Sequence, residues 1–235
     1  MLWNQHYIDF QTEVLKEDKV MMSGQFIVFE GGEGAGKTTQ LRRSHAWLKA
    51  QWGQQRAILQ TREPGGTPLG SKLRDILLHS GAVVDRAELL LFAADRAQHV
   101  DTVIQPALSQ GAMVLCDRFT DSTWAYQGYG RGLDLTLIAQ LNAIATHHLT
   151  PHLTFWLDLP VEVGLARSQR EGQRDRIEQA DLSFHRRVRE GFTHLVQQEP
   201  ERIVRIDASQ PADQVQQAIQ TVLRSRGYVP PESSD

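Results

Sequence analysis

A three-layer α/β fold, a five-stranded parallel sheet with helices on both faces, is what three observations in the 235-residue sequence predict. Short apolar runs alternate with amphipathic stretches, the order that parallel strands joined by helical crossovers require. The apolar runs are continuous rather than alternating, as strands covered on both faces are. The residues able to do chemistry follow the runs directly: a glycine-rich loop, then Arg62-Glu63, Asp117-Arg118 and Asp158. In such sheets ligands sit beyond the carboxyl ends of the strands.

The elements justify themselves in order. Phe26-Ile27-Val28-Phe29 is the first strand, and Gly31-Gly32-Glu33-Gly34-Ala35-Gly36-Lys37-Thr38-Thr39 leads into a helix over 38–52 that Gly53 ends. Ala57-Ile58-Leu59 is the second strand, closed by a turn at 62–67; a helix with Leu69, Leu73, Ile76 and Leu77 follows, then one over 85–108 carrying Leu89, Phe92, Ala93 and Val100. The third strand is 112–115, with helical segments expected at 122–127 and 135–147. The fourth strand, 153–157, leads to a helix running into an arginine-rich stretch, 167–176. A helix over 182–198, a strand at 203–206 and a helix over 212–226 complete one domain, 22–228. Residues 1–21 have no clear period and read as a mobile appendage or as sequence before a start at Met21 or Met22, and 229–235 reads as a disordered tail.

Composition narrows the partners. A formal charge of −3 argues against binding nucleic acid or a membrane through bulk positive charge. No apolar stretch approaches the roughly 18 residues a membrane helix needs, and the N-terminal residues lack the pattern of a signal peptide. The single cysteine, Cys116, cannot form an intramolecular disulfide and lies in an apolar run, as a buried thiol in a reducing cytoplasm does.

The glycine-rich loop matches GxxxxGK[ST] at Gly31, Gly36, Lys37 and Thr38, between a strand and a helix. Backbone N–H groups there converge on phosphate oxygens, and the helix N-terminus adds partial positive charge. Lys37 is placed for the β- and γ-phosphates of a nucleoside triphosphate and the Thr38 hydroxyl for Mg²⁺. Asp117, closing an apolar strand, supplies a second acidic group near the metal, or else caps the next helix. Arg167, Arg170, Arg174 and Arg176 fall within ten residues around Gly172. They make either a solvated basic face or a lid whose guanidinium groups meet the charge spread over a transferring phosphoryl group. Phe92 and Arg96 share a helix face, as core and surface neighbours or as a platform that stacks on a base and bonds its edge.

Together these segments resemble thymidylate kinase of the bacterial type over residues 24–226: FEGGEGAGKTTQ, TREPGGT at 61–67, LFAADRAQ at 91–98, DRFTDSTWAYQG at 117–128 and DRIEQ at 175–179. The resemblance implies a P-loop nucleoside monophosphate kinase-like fold with an Arg-rich lid at about 167–178. It implies ATP bound by Gly31 to Thr39, with Lys37 on the transferred group and Mg²⁺ at Thr38 and Asp117. Arg118, with Arg62 and Arg74, would meet the acceptor monophosphate, and Glu63 would lie where a loop closes over it. Phe92 would stack on thymine, Arg96 bond its O4 edge, Thr123 lie near the base and Tyr126 crowd the sugar at C2′. The P-loop has no arginine, so the catalytic arginine should come from the lid. Where the bacterial pattern often reads RGxLDR, this chain has Glu171 before Gly172, leaving Arg170, Arg174 and Arg176 as candidates, with Arg176 favoured inside its intact DRIE. The implied reaction is dTMP + ATP → dTDP + ADP, towards dTTP, in a cytoplasmic homodimer. The rivals are a kinase for another nucleoside monophosphate and a P-loop switch or nucleotide sensor. The switch lacks its Asn-Lys-x-Asp and Asp-x-x-Gly here.

Overall fold

The computed structural model describes residues 23–171 and 175–230, without the side chains of Arg170 and Glu171. The appendage expected at 1–21, the loop at Gly172-Gln173, Arg174 and most of the expected tail lie outside the described residues.

Five parallel strands, β1 (Gln25–Glu30), β2 (Ile58–Arg62), β3 (Met113–Asp117), β4 (Leu153–Asp158) and β5 (Ile203–Asp207), form one sheet in the order β2-β3-β1-β4-β5. The order places β1 at the centre with β3 and β4 on either side, and it brings Phe29 level with both Asp117 and Phe155. The loop after β1 therefore opens beside the end of β3. The central strands carry Phe26, Ile27, Val28, Phe29, Leu115 and Phe155 at 0% exposure. Full burial of such side chains is worth about 1.5–3 kcal/mol each.

Helix α1 (Lys37–Trp52) follows β1 and buries Leu41, Leu48 and Trp52, the face the sequence predicts, against the core. Helix α2 (Pro68–His79) starts at Thr67, whose hydroxyl accepts the N–H of Gly70. Its spacing misleads in part: Leu77 is buried, but Leu69 and Ile76 are 45% and 41% exposed. The long helix expected over 85–108 is interrupted. It runs as α3 (Asp85–His99), a π-helical turn at Val100–Ile104 and α4 (Gln105–Ser109). Pro106 lacks an N–H and crowds the preceding turn, which the wider π geometry accommodates. After β3 come α5 (Thr120–Thr123), a second π-helical segment at Trp124–Gly130, and α6 (Leu135–Thr146). Helix α7 (Val161–Glu171), α8 (Leu182–Gln198) and α9 (Ala212–Ser225) follow. Strand β2 extends three residues past its expected end, because Gln60, Thr61 and Arg62 pair with Leu115, Cys116 and Asp117 of β3. Val229, expected in the tail, packs against the core cluster.

Candidate active site

A cleft of about 620 Å³ opens where β1, β2 and β3 end. On one wall lies the glycine-rich loop. Gly34 takes φ +64, and a Cβ there would stand 2.2 Å from the Gly164 carbonyl oxygen of α7. Only glycine permits that approach. Gly36, at φ +85, precedes the first turn of α1, so the helix N-terminus faces the cleft. Ala35 is buried beneath the loop, while Thr38 and Thr39 are exposed and line the opening. Lys37 is turned onto the loop, its ammonium donating to the carbonyl oxygens of Gly31 at 3.0 Å and Gly32 at 2.7 Å. Burial and the neighbouring Arg118 guanidinium push its pKa down.

The Thr38 hydroxyl donates to Asp117 Oδ2 at 2.8 Å, so the two expected metal-side oxygens are brought together. Among the described residues no group of three or more His, Cys, Asp or Glu side chains could hold a metal by itself. One hydroxyl and one carboxylate instead form the sparse, oxygen-only set that suits Mg²⁺ shared with phosphates.

Arg118, at φ +69, turns the opposite way from Asp117. It donates to Gly31 O, to Ser122 Oγ and, at 3.0 Å, to Glu33 Oε1, and lies 4.8 Å over the Tyr126 ring. Tyr126 also donates to Glu33 Oε1, at 2.7 Å. Burial works against ionisation of Glu33, but Arg118, Lys37 and the Tyr126 hydroxyl carry its pKa down to about 2. Glu33, expected on the triphosphate side, thus bonds Arg118 and Tyr126, two residues expected to meet the acceptor. Arg62 and Arg74 also line this wall, and Arg74 donates to Pro64 O at 3.0 Å. The Arg74 pKa is lowered by burial and by the positive charges of Arg62 and Arg118. A guanidinium group whose charge two others disfavour makes, with them, a site for a polyanion.

Phe92 and Arg96, both from α3, line the far end of the cleft with Thr123 and Tyr126. The neighbours expected of a surface arginine are not what Arg96 has. It is buried and donates from Nε to Glu63, from Nη1 to Thr123 and Asn142, and from Nη2 to Phe119 O. Four of its five N–H groups are thus used, leaving one Nη2 hydrogen for a ligand. Glu63 lines the cleft as well, with its carboxylate paired to Arg96.

The arginines at 167–176 are placed differently from one another. Arg167 bonds Ala208 O at 3.2 Å. Arg170's side chain and Arg174 lie outside the described residues. Arg176, the favoured catalytic candidate, does not line the cleft: its Nε donates to Leu77 O at 3.0 Å and its Nη2 to the fully buried Glu88. Glu88 also holds Arg131 and Gln127, so its partners make an attractive alternative to the cleft for Arg176. Its neighbours Asp175, Ile177 and Glu178 do line the cleft.

Sequence reasoning missed Glu30, Glu88, His99 and Asn142. Glu30 is fully buried and accepts from Phe119 N, Ser122 N and Ser122 Oγ, fixing the turn that carries Arg118. Burial raises its pKa to about 7 against the opposing pull of Arg118. A carboxylate ending an apolar strand was the available signal.

Comparisons with known proteins show what the whole chain is similar to. A family model described as thymidylate kinase matches residues 29–219. The thymidylate kinase of Cyanothece sp. is 56% identical over 223 residues, covering 87% of this chain and 95% of that protein. That of Deinococcus radiodurans is 50% identical over 209 residues, covering 88% and 100%. The solved structure of thymidylate kinase from Ehrlichia chaffeensis superposes with a TM-score of 0.71 at 36% identity, covering 86% of this chain and 99% of that one.

Proposed function

This chain belongs to the thymidylate kinase family, of the bacterial type, and from that premise we propose how its own residues divide the work. The enzyme transfers the γ-phosphoryl group of ATP to dTMP. The observation that carries the division is one cleft in which Lys37 and Thr38 of the loop face Arg62, Arg74 and Arg118, with Phe92 and Arg96 at the far end.

In this reading, the loop from Gly31 to Thr39 holds the phosphates of ATP through backbone N–H groups, and Lys37 leaves its carbonyl partners to follow the transferred group. Thr38 and Asp117 hold Mg²⁺, which when bound screens the negative charge shared by the two nucleotides. Arg118, Arg74 and Arg62 neutralise and orient the acceptor phosphate, whose oxygen attacks in line without a covalent enzyme intermediate. Phe92 stacks on thymine, the remaining Nη2 hydrogen of Arg96 meets its O4, and Thr123 and Tyr126 bound the nucleoside. Arg176 anchors the chain after the lid to Glu88, and Arg170 or Arg174 supplies the charge at the transition state. A homodimer fits the exposed Leu90 and Ile144, 50% and 72% accessible, on α3 and α6, which pack together. Among the described residues no helix is long and apolar enough to cross a membrane, and a cytoplasmic place follows from the proposed substrates.

A coupled assay of ADP release with and without dTMP tests the whole reading. Release that depends on dTMP and on Mg²⁺, and that falls at least tenfold with dGMP or CMP as acceptor, is the expected result. A rate independent of dTMP, or higher with another monophosphate, overturns it.

A further inference from the structure

Behind Arg96 lies a chain of buried polar groups that phosphoryl transfer does not itself require. Glu63 is the link next to Arg96: its Oε2 accepts from Arg96 Nε at 2.8 Å, and its Oε1 pairs with His99 Nδ1 at 2.9 Å. The side chains of Arg96, Glu63 and His99 are 3%, 3% and 0% exposed. The other ring nitrogen, His99 Nε2, is 2.6 Å from Thr61 Oγ1. Arg96 and His99 come from adjacent turns of α3, while Thr61 and Glu63 flank Arg62 at the end of β2. The loop after Glu63 closes directly on the ring, since a Cβ on Gly66 would lie 2.4 Å from His99 Nε2. On the same helix Asp95 accepts the Gly65 N–H at 3.1 Å, tying that loop to α3 a second time.

The chemistry of this chain is directional. A carboxylate only accepts, so Nδ1 of His99 carries a hydrogen whether the ring is neutral or charged. In the neutral ring Nε2 accepts from Thr61; in the charged ring Thr61 accepts. The bond to Glu63 is common to both. Glu63 has rotatable bonds that a single partner would leave free, and its two partners together fix the carboxylate plane. A guanidinium is planar, so a fixed carboxylate at Nε also fixes the direction of the remaining Nη2 hydrogen.

We propose that His99 is a positioning residue for recognition of the acceptor base: it holds Glu63, Glu63 holds Arg96, and Arg96 then presents one N–H to a carbonyl edge. This rests on the reading of Arg96 as the group that meets the base. The consequence is selective. Loss of the His99–Glu63 bond weakens use of an acceptor with a carbonyl at C4, leaves ATP binding alone, and narrows discrimination against an acceptor with an amino group there.

The two amide substitutions of His99 separate its two bonds. In His99→Asn the amide nitrogen reaches the place of Nδ1 and can still donate to Glu63; in His99→Gln it reaches the place of Nε2 and cannot. For H99Q we expect KM for dTMP to rise about tenfold, the scale of one lost hydrogen bond to a buried charge, and the ratio of kcat/KM for dTMP over dCMP to fall in step, with KM for ATP unchanged. H99N is expected to recover most of that loss. Arg96→Met, measured alongside, is expected to collapse the dTMP/dCMP ratio. In the unaltered protein, nitrogen-resolved NMR is expected to show a slowly exchanging Nδ1 hydrogen on His99, a readout that needs no variant to fold. Equal KM values for dTMP in H99N and H99Q, a parallel rise in KM for ATP, or a rapidly exchanging Nδ1 hydrogen would overturn the assignment of His99 while R96M still alters the ratio. An unaltered ratio in R96M would overturn the reading of Arg96 itself, and the role of His99 with it.

Discussion

Glu30→Gln should make the protein more stable at neutral pH and less active. Glu30 is fully buried, and its pKa is carried from 4.5 to about 7, chiefly by burial. Between those values the unfolded chain has lost the proton that the fold still keeps, so stability falls as pH rises through this window. Above about pH 7 the whole cost is present, about 3 kcal/mol from a rise of about 2.5 at 1.36 kcal/mol each. Glutamine removes the charge and keeps the geometry. Its Oε1 can accept from Phe119 N and Ser122 N, at 2.8 and 3.1 Å in the wild type, and its amide can donate to Ser122 Oγ. At roughly 2–4 °C per kcal/mol for a chain of this size, the midpoint at pH 8 should rise by about 6–12 °C, with little difference at pH 5. Thermal unfolding followed by circular dichroism, wild type against variant at constant ionic strength, reads this directly. Melting curves whose pH dependence runs parallel for the two proteins would refute the reasoning. Activity should move the other way, as a higher KM for dTMP, because the same carboxylate offsets the charge of Arg118.

The remaining predictions concern the lid and the loop. Arg176→Ala should lower stability by about 1–3 kcal/mol in urea unfolding, since it leaves Leu77 O without its donor and Glu88 with only Arg131 and Gln127. Its kcat should fall less than that of Arg170→Ala or Arg174→Ala, and a hundredfold loss with no change in urea midpoint would return the catalytic role to Arg176. Gly34→Ala should cut ATP affinity more than tenfold by titration calorimetry, because its Cβ would meet Gly164 O at 2.2 Å and the loop must open to admit it. Wild-type ATP affinity in that variant would show that the loop's path is not what the cleft depends on.

Apolar runs made the sheet legible, because strands covered on both faces are mostly apolar along their length, with few exceptions such as the buried Thr154. What they could not show is where a strand stops. Gln60, Thr61 and Arg62 look like the start of a turn, yet their backbones pair with β3, and that partner lies more than fifty residues away. The two π-helical segments were equally invisible. A single widened turn leaves the residues helical and changes only which of them face inward. At Trp124–Gly130 that shift matters, because Tyr126 and Gln127 turn towards the cleft from within it.

The site divides along the same line. Residue types at fixed spacing pointed to Lys37, Thr38, Asp117 and Arg118, because phosphate and metal chemistry demand those groups near one another in sequence or at strand ends, whereas the role of Arg96 came only from the family resemblance. Their partners come from anywhere in the chain. Arg176 and Glu88 are 88 residues apart, and nothing in DRIE says that its arginine has a buried carboxylate to satisfy. Glu33 is the sharper case. Its place in the loop assigned it to the triphosphate, yet its carboxylate is bonded by Arg118 and Tyr126, both expected to meet the acceptor. That one carboxylate, its pKa lowered to about 2, feels both the loop lysine and the arginine expected to meet the acceptor. Arg118 lies close enough to disfavour the charged form of Lys37, and Glu33, which both cations stabilise as a carboxylate, offsets that repulsion. On the reading proposed above, that arrangement is what would let two polyanions approach each other in one cleft.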